Sequence, residues 1–521
     1  MSSPDTTTTG GTPATRPDGR PWALADLDGR VRDVLPGTDG PRLVVFVERD
    51  CPTSRGALAA LAGGPAGRTT VVSQGRPQAA LDLVRRCGAG ALGVLVEPEP
   101  HPVSAAFDVR TVPTFVLVDA AGAELARLDG WDRAEVGDLL ARAGGELMAD
   151  GGLPGVKPGC QSRSTLDAPT QDQLAGDDVA LGDGGDDDGI DEMWARGWHD
   201  GLPVVPPTRE RVDAMLDGRD GDEVLGEVGP VMGELTLERL AVCAVLAGCE
   251  PAYLPVVRAA AEAILDDGFA LHGMQNTTHF ASPAVIVSGP YAAAIGMNGG
   301  SNVLGPGNRA NQTIGRAVRL VMSLTGGGTP GGLDQSALGG PHKIGLCFPE
   351  REDASPWEPL RVTLGFDADA TTVSVVGVES PMGVSDHYSS DAEGVAATLA
   401  AAMGNAWAPT WYPVGTHTPL VVCPEHARTF AEAGWSKADL RRSIFERCRR
   451  TAGDLRAAGT GELTPFAVHA ETDDTEIPKF LSEDEIVIVV AGGDAGRFSA
   501  VLPPWVGFGL GSTMITREVH P

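Results

Sequence analysis

The chain is poor in the features that most quickly name a protein. Its 8 cysteines are scattered, and no Cys-x-x-Cys pair occurs among them. That argues against a zinc ribbon, and eight dispersed cysteines in 521 residues do not make a disulfide framework. His-Glu-x-x-His and Gly-x-Ser-x-Gly are absent, which removes the sequence signatures of a zincin and of a serine-hydrolase elbow. No apolar run approaches the roughly 18 residues needed to cross a bilayer. Residues Met1 to Arg20 are rich in Thr, Gly and Pro and lack an apolar h-region, so they read as a disordered tail and not as a signal peptide. Basic residues are outnumbered, 40 against 70 acidic, and nothing basic is clustered. A net charge of −30 repels phosphate backbones and serves solubility, so no nucleic-acid partner is expected. No repeat of fixed period is found. The expectation is a cytoplasmic protein, off the membrane, with its thiols mostly reduced.

What is present suffices for two or three domains: the length exceeds one typical domain, and 42% hydrophobic residues can fill ordinary cores. The most informative residue is Cys51. The apolar, β-branched run Leu43-Val44-Val45-Phe46-Val47 leads through Glu48-Arg49-Asp50 to Cys51-Pro52-Thr53-Ser54-Arg55, and the helical pattern Ala57-Leu58-Ala59-Ala60-Leu61 follows. A cysteine at the junction of a strand and a helix N-terminus meets unpaired amides and the positive end of the helix dipole, which favour the thiolate. Arg55, just beyond, could hold that thiolate. Some sixty residues later Val109-Arg110-Thr111-Val112-Pro113-Thr114-Phe115-Val116-Leu117-Val118 reads as a second buried strand, with a proline at its start that could be cis.

These two segments resemble the thioredoxin-like superfamily, in particular its redoxin or TlpA-like branch, over residues 20 to 148. The resemblance implies an attacking thiol at Cys51 and a cis-proline facing it at Pro113. Ser54 stands where the family has its second cysteine, so a dithiol cycle closed within the motif is not available. Strands are expected at Leu43–Val47, Thr69–Ser73, Ala91–Val96 and Thr114–Val118, and helices at Arg55–Leu61, Gln78–Cys87 and Arg133–Ala143.

Residues 149–190 read as an acidic, Gly/Asp-rich linker. Its Asp run is no EF-hand, because the position six beyond Gly189 is Ala195. Within it, Val156-Lys157-Pro158-Gly159-Cys160-Gln161-Ser162 places a cysteine in a Gly/Pro segment where burial is no motive. A tether of this length can reach back over the preceding domain, so Cys160 is a candidate to resolve oxidised Cys51 or to join it as a metal ligand.

Residues 191–521 read as a larger mixed α/β domain. Helices are expected at Arg209–Leu216, Thr236–Gly248, Asn311–Leu324, Ala392–Met403 and Lys437–Ala452. Strands are expected at Pro283–Ser288, Arg361–Phe366, Thr371–Val376 and Glu485–Val490. The densest polar stretch runs from Gly296 to Thr313 into a helix. Its glycines allow backbone amides to approach a ligand, and the helix N-terminus suits an anion. Asn298, Ser301, Asn302, Asn308 and Asn311 are candidate substrate contacts, with Arg309 and Arg316 as a clamp. Gly305-x-Gly307-x-x-Ala310 only partly matches a dinucleotide fingerprint, and Gly326 to Gly332 lacks the lysine of a P-loop. His272, His279, His342 and Cys347 are candidate ligands of a divalent metal, with Gln275, Asn276, Thr278, Lys343, Glu350, Asp386, His387, Tyr388 and His417 as further polar loop residues.

Asp200-Gly201-Leu202-Pro203-Val204-Val205-Pro206-Pro207-Thr208, Leu304-Gly305-Pro306-Gly307-Asn308-Arg309-Ala310-Asn311, Ser355-Pro356-Trp357-Glu358-Pro359-Leu360 and Val490-Ala491-Gly492-Gly493 resemble the UGSC family of bacterial selenocysteine- or cysteine-containing proteins. That family's naming motif is absent, so its redox centre does not carry over. The expectation is therefore an α/β enzyme of two domains. Cys51, with Cys160, Arg55 and Pro113, would act as a thiol-based oxidoreductase or a lyase cleaving a carbon–heteroatom bond in a small anionic substrate. A thiol or thioredoxin-type reductant would be its partner, and a homodimer suits a large glycine-rich domain. The alternatives are a metal-dependent hydrolase or lyase centred on the C-terminal domain, and a non-catalytic binding protein.

Overall fold

A computed structural model describes residues 21–36, 40–49, 51–75, 77–98, 101–149, 151–153, 155–157, 159–162, 186–406, 416–457, 470–505 and 513–521. The chain divides into two compact units, Met1–Leu166 and Asp167–Pro521. The expected tail at 1–20 and most of the expected linker, 163–185, lie outside the described residues.

In the first unit the elements are β1 (Ala23–Asp26), β2 (Val31–Asp33), β3 (Arg42–Glu48), α1 (Pro52–Ala62), β4 (Thr69–Gln74), α2 (Pro77–Arg86), β5 (Val94–Glu97), α3 (Pro102–Ala106), β6 (Thr111–Val112), β7 (Thr114–Val118), β8 (Glu124–Asp129), β9 (Trp131–Asp132), α4 (Arg133–Arg142), β10 (Val156–Lys157) and β11 (Cys160–Gln161). The seven-stranded sheet has the order β2-β1-β5-β4-β3-β7-β8. Strands β3, β4 and β5 are parallel, and β7 and β8 return antiparallel. β3 is buried along its whole length because both faces are covered, which is why it reads as an unbroken Leu/Val/Phe run and not as an alternation. A central strand leading to a helix whose N-cap is a cysteine, and a later strand preceded by a cis Val112–Pro113 bond, give this unit a thioredoxin-like architecture.

The expected linker begins as part of this unit. Val156 and Lys157 pair antiparallel with Asp132 and Trp131, and Cys160 and Gln161 pair with Val112 and Thr111. The described residues of the stretch 151–162 thus form a strap. It is tied at its far end by the Ser162 amide donating to the Arg110 carbonyl (2.8 Å) and by Gln74 Nε2 donating to Ser162 Oγ (2.7 Å). Gly151 has φ +61, and a Cβ there would lie 1.9 Å from the Gly56 carbonyl oxygen. Only glycine lets the strap lie this close to α1.

The second unit comprises α5 (Asp186–Ala195), α6 (Arg209–Leu216), β12 (Val224–Val228), β13 (Gly233–Thr236), α7 (Leu237–Ala247), α8 (Leu254–Ile264), α9 (Leu271–Gln275), β14 (Ser282–Ser288), α10 (Pro290–Ala294), α11 (Arg309–Leu320), β15 (Leu346–Pro349), α12 (Leu360–Thr363), β16 (Thr372–Val378), β17 (Met382–Ser385), α13 (Ala392–Asn405), β18 (Thr418–Val422), α14 (Pro424–Glu432), α15 (Lys437–Arg447), β19 (Arg449–Thr451), α16 (Ala452–Ala457), β20 (Glu476–Pro478), β21 (Ile486–Val490), β22 (Phe498–Val501) and β23 (Ile515–Glu518). Two four-stranded sheets, β15-β14-β16-β23 and β17-β22-β18-β21, form its centre.

Strand alternation stacks them. Ala284 and Ile286 of β14 pack with Phe348, Val376, Val421, Val487 and Val489 in a core shared by both sheets. On the other face of β14, Val285 and Val287 join the helical core built with α7, α8 and α11. Ile486, Ile488 and Val490 likewise face α13, α14 and α15. The result is four layers, helix–sheet–sheet–helix, dictated by the period of two along each strand.

Two sequence expectations fail here. Arg361–Phe366 is not a strand: Leu360–Thr363 is a helical turn following Pro359. The expected helix Lys437–Ala452 ends at Arg447, and Arg449–Thr451 pairs as β19 with β20. A long-range pairing partner overrides local helical periodicity in that last turn.

Gly151→Ala forces a Cβ against the Gly56 carbonyl. It is expected to cost roughly 1–3 kcal/mol and to free the strap. Hydrogen exchange should rise at 151–162 with little change in β3 and β7; unchanged protection of the strap would show that the close approach is not what seats it.

Candidate functional site

Cys51 is the N-cap of α1 and is fully buried, with 0% exposure. Its sulfur accepts the Ser54 amide (3.3 Å), and its S–H donates to the Val112 carbonyl (3.1 Å). The position that sequence reasoning assigned to a strand–helix junction is therefore where the thiol lies. Ser54, in place of a second cysteine, is buried within the first turn of α1. Pro113 is buried directly after Val112, the residue whose carbonyl meets the thiol. Across the β6–β11 pair, Cys160 stands opposite that same Val112. The fold thus converges two cysteines, 109 positions apart in the chain, on one residue of β6. Arg55 lies on α1, and Cys87 Sγ–H donates to its carbonyl (3.4 Å). Burial pushes the Cys87 thiol up, against the opposing pull of the Arg55 guanidinium.

In the second unit the glycine-rich loop is held by its own side chains. Asn308 caps α11 by accepting the Asn311 amide (3.0 Å). Asn311 accepts the Asn298 amide (3.1 Å) and returns a bond to the Asn298 carbonyl (2.9 Å). Asn298 donates to Ser301 O (2.9 Å), and Asn302 donates to Pro306 O. The expected arginine clamp is not presented. Arg309 pairs with Glu250 (2.6 Å), and Arg316 makes a bidentate pair with Asp200 (2.6 Å to each oxygen). These arginines tie α11 to the segment around Asp200 and to the end of α7. Asn302 reaches a cleft of about 260 Å³, together with Val303, Leu304, Gly305, Cys423, Gly492, Gly493, Ala495, Gly496, Arg497 and Phe498.

The expected metal ligands do not form a set. Among the described residues no group of three or more His, Cys, Asp or Glu is placed to hold a metal ion. His272 is buried against Asn276 (2.9 Å), His279 pairs with Glu379, and Cys347 is interior to β15. His342 Nε2 donates to the Phe280 carbonyl (2.9 Å), and Nδ1 accepts from Ser380 (2.8 Å), so both ring nitrogens are taken. Glu350 accepts from Ser288 (2.8 Å) and the Leu360 amide (2.7 Å), and burial pushes its carboxyl up. Lys343 is bonded to Asp334 (2.7 Å) and Ser336 (2.7 Å), and His417 Nδ1 accepts the Met514 amide (3.2 Å). Loop histidines in a sequence cannot be told from ligands until their partners are known, and here those partners are protein atoms.

Sequence reasoning missed Cys423 and its neighbours. The signal was present: Leu420-Val421-Val422-Cys423-Pro424 repeats the strand–Cys–Pro–helix order of Cys51. Pro419 inside the strand hid it.

No protein-family model matches the chain, and no curated protein matches it. Among solved structures, similarity extends to a secreted Mycobacterium tuberculosis disulfide oxidoreductase homologous to E. coli DsbE. That match has 17% identity over 23% of this chain and 94% of that one, with TM-score 0.20. StoA from Bacillus subtilis matches at 14% identity over 23% of this chain and 95% of its own, with TM-score 0.20. A thiol-disulfide oxidoreductase from Bacteroides fragilis matches at 16% identity over 23% and 93%, with TM-score 0.20. Likenesses this distant carry nothing about activity; the thioredoxin-like description of the first unit rests on its own strand order and on the placement of Cys51. Among the described residues no helix is long and apolar enough to cross a membrane.

Burial pushes the His342 imidazole from 6.5 down to about 4. The unfolded chain therefore takes up a proton at this residue as pH falls below 6.5, while the folded chain resists until about 4, and stability is lost through that window. Denaturant titrations at pH 7 and pH 5 should show a loss of roughly 2 kcal/mol that is absent from His342→Gln. An equal loss in the variant would assign the acid sensitivity to other groups.

Proposed function

We propose that the chain is a thiol-dependent oxidoreductase in which Cys51 attacks and Cys160 resolves. The observation carrying this reading is the convergence on Val112: its carbonyl receives the Cys51 thiol, and its strand partner is Cys160. Support also comes from the cap position, where helix amides favour a thiolate. The strap holds the second cysteine in register even though the Cys-x-x-Ser motif lacks one.

The chemistry is thiol–disulfide exchange. The Cys51 thiolate attacks one sulfur of a substrate disulfide and releases the other as a thiolate, leaving a mixed disulfide. The Cys160 thiolate then attacks the Cys51 sulfur, releases the second substrate thiolate, and leaves a Cys51–Cys160 disulfide. Two electrons have passed to the substrate, and a dithiol reductant of thioredoxin type returns them. Because Cys51 is buried in the resting arrangement, the attack requires the β6–β11 region to open. In this reading Arg55 steadies the thiolate, Pro113 shapes the surface presented to the incoming sulfur, and the substrate is a small anionic disulfide.

Oxidised glutathione, a small anionic disulfide, tests this. Reduced wild-type protein should end as a Cys51–Cys160 disulfide, found by mass spectrometry of an unreduced digest, with two glutathiones released. Cys160→Ser should instead accumulate one glutathione on Cys51, and Cys51→Ser should take none at Cys160 at a comparable rate. If Cys51 stays a free thiol in all three, the redox reading fails.

A further inference from the structure

The second unit contains a cleft that the thiol chemistry of the first does not use. It lies beyond the carboxyl ends of the parallel strands β18 and β21, where open α/β sheets place their ligands. Its volume, about 260 Å³, is below that of a drug-sized pocket and suits a molecule of a few carbons.

The lining has two chemical features. Cys423, 5% exposed, directly follows β18 and is the N-cap of α14. Its amide donates to Ser499 Oγ (3.1 Å), which also bonds His426 Nδ1 (2.8 Å), and His426 Nε2 donates to the Asp386 carbonyl (3.1 Å). Burial pushes the Cys423 thiol up, while the His426 amide and Ser499 pull it down.

The second feature is Arg497. Its Nε donates to the Asp386 carbonyl (2.6 Å) and its Nη2 to the Ser389 carbonyl (2.8 Å). Among the described residues it makes no ion pair. Arg309, Arg316, Arg351 and Arg361 of the same unit each have a carboxylate. Glu425, which stands beside it in the fold, is held by the Gly496 and Arg497 amides (2.6 and 2.8 Å), and these, with the charges of Arg428 and Arg497, hold its carboxyl below the usual range. In a chain of net charge −30, a cleft-lining arginine with no carboxylate in salt-bridge contact among the described residues is a place for an anion from outside. The loop holds Arg497 at φ +42, a left-handed conformation rarely adopted by residues with side chains. At the rim, Phe498 is 62% exposed, and Tyr388 of the neighbouring loop is 98% exposed.

We propose that this cleft binds a small carboxylate, with its charge paired to Arg497, its carbon skeleton against Leu304 and Phe498, and the Cys423 thiol facing it. The site stands independently of Cys51 and Cys160.

Iodoacetate and iodoacetamide are near-isosteric alkylating agents that differ in charge, and each marks Cys423 for peptide mass spectrometry. The ratio of their rates at Cys423 should exceed the ratio for 2-mercaptoethanol by about tenfold, the size expected for one charged hydrogen-bonded contact. Arg497→Gln should bring the ratio down to that of the free thiol, with the circular dichroism unchanged. Should the variant not fold, wild-type protein decides: acetate, and not acetamide, should slow iodoacetamide at Cys423. A ratio at or below that of the free thiol, a preference that survives Arg497→Gln, or no labelling by either reagent overturns the proposal. The Cys51→Ser variant should behave as wild type in this assay, so the outcome is separate from that of the redox reading.

Discussion

The backbone of Val112 is the point on which the arrangement around Cys51 depends. A two-residue strand contributes little stability alone, but this one has a neighbour on each side: the Cys51 thiol donating to its carbonyl, and Cys160 paired across from it. Seating the strap therefore orders the surroundings of the Cys51 sulfur and the backbone of Cys160 together. The same contact closes the site. A thiol held under a carbonyl and fully buried is protected from adventitious oxidation, and in the proposed reading it is reached only when the short strands part.

The second unit solves a different problem. Two sheets, each with one face on helices and one on the other sheet, leave little freedom for side chains inside, and the shared core is almost entirely Val, Ile, Leu, Phe and Ala. Polar residues are driven to strand ends and loops. There, carboxylates and guanidiniums pair with each other: Asp200 with Arg316, Glu250 with Arg309, Glu352 with Arg361. A residue with chemistry to offer a ligand stands out because it is not consumed in this way, and the loop beyond β21 is where such a residue is found.

Much of the architecture was legible because it is written in local pattern. The apolar Leu43–Val47 interior of β3, the Cys-Pro start of α1 and the span of β7 follow from burial on both faces and from helix-start chemistry. Thr208 as cap predicts the start of α6 for the same reason. The errors have a common cause. Arg361–Phe366 alternates like a strand yet has no partner to pair with, and Arg449–Thr451 continues a helical pattern yet finds one in β20. Pairing is a property of the folded chain and leaves no local mark.

The same division holds for function. From sequence alone came the strand–helix junction of Cys51, the suspicion that Cys160 returns to it, and the polar glycine-rich loop, because capping and glycine conformations are local. Tertiary structure alone decided that Cys160 shares Val112 with Cys51, that Arg309 and Arg316 are paired inward, that the histidines bond to protein atoms, and that Cys423 and Arg497 line one cleft. Each of those facts is a distance between residues far apart in the chain. A sequence states which groups exist; only the closed fold states which of them already have partners.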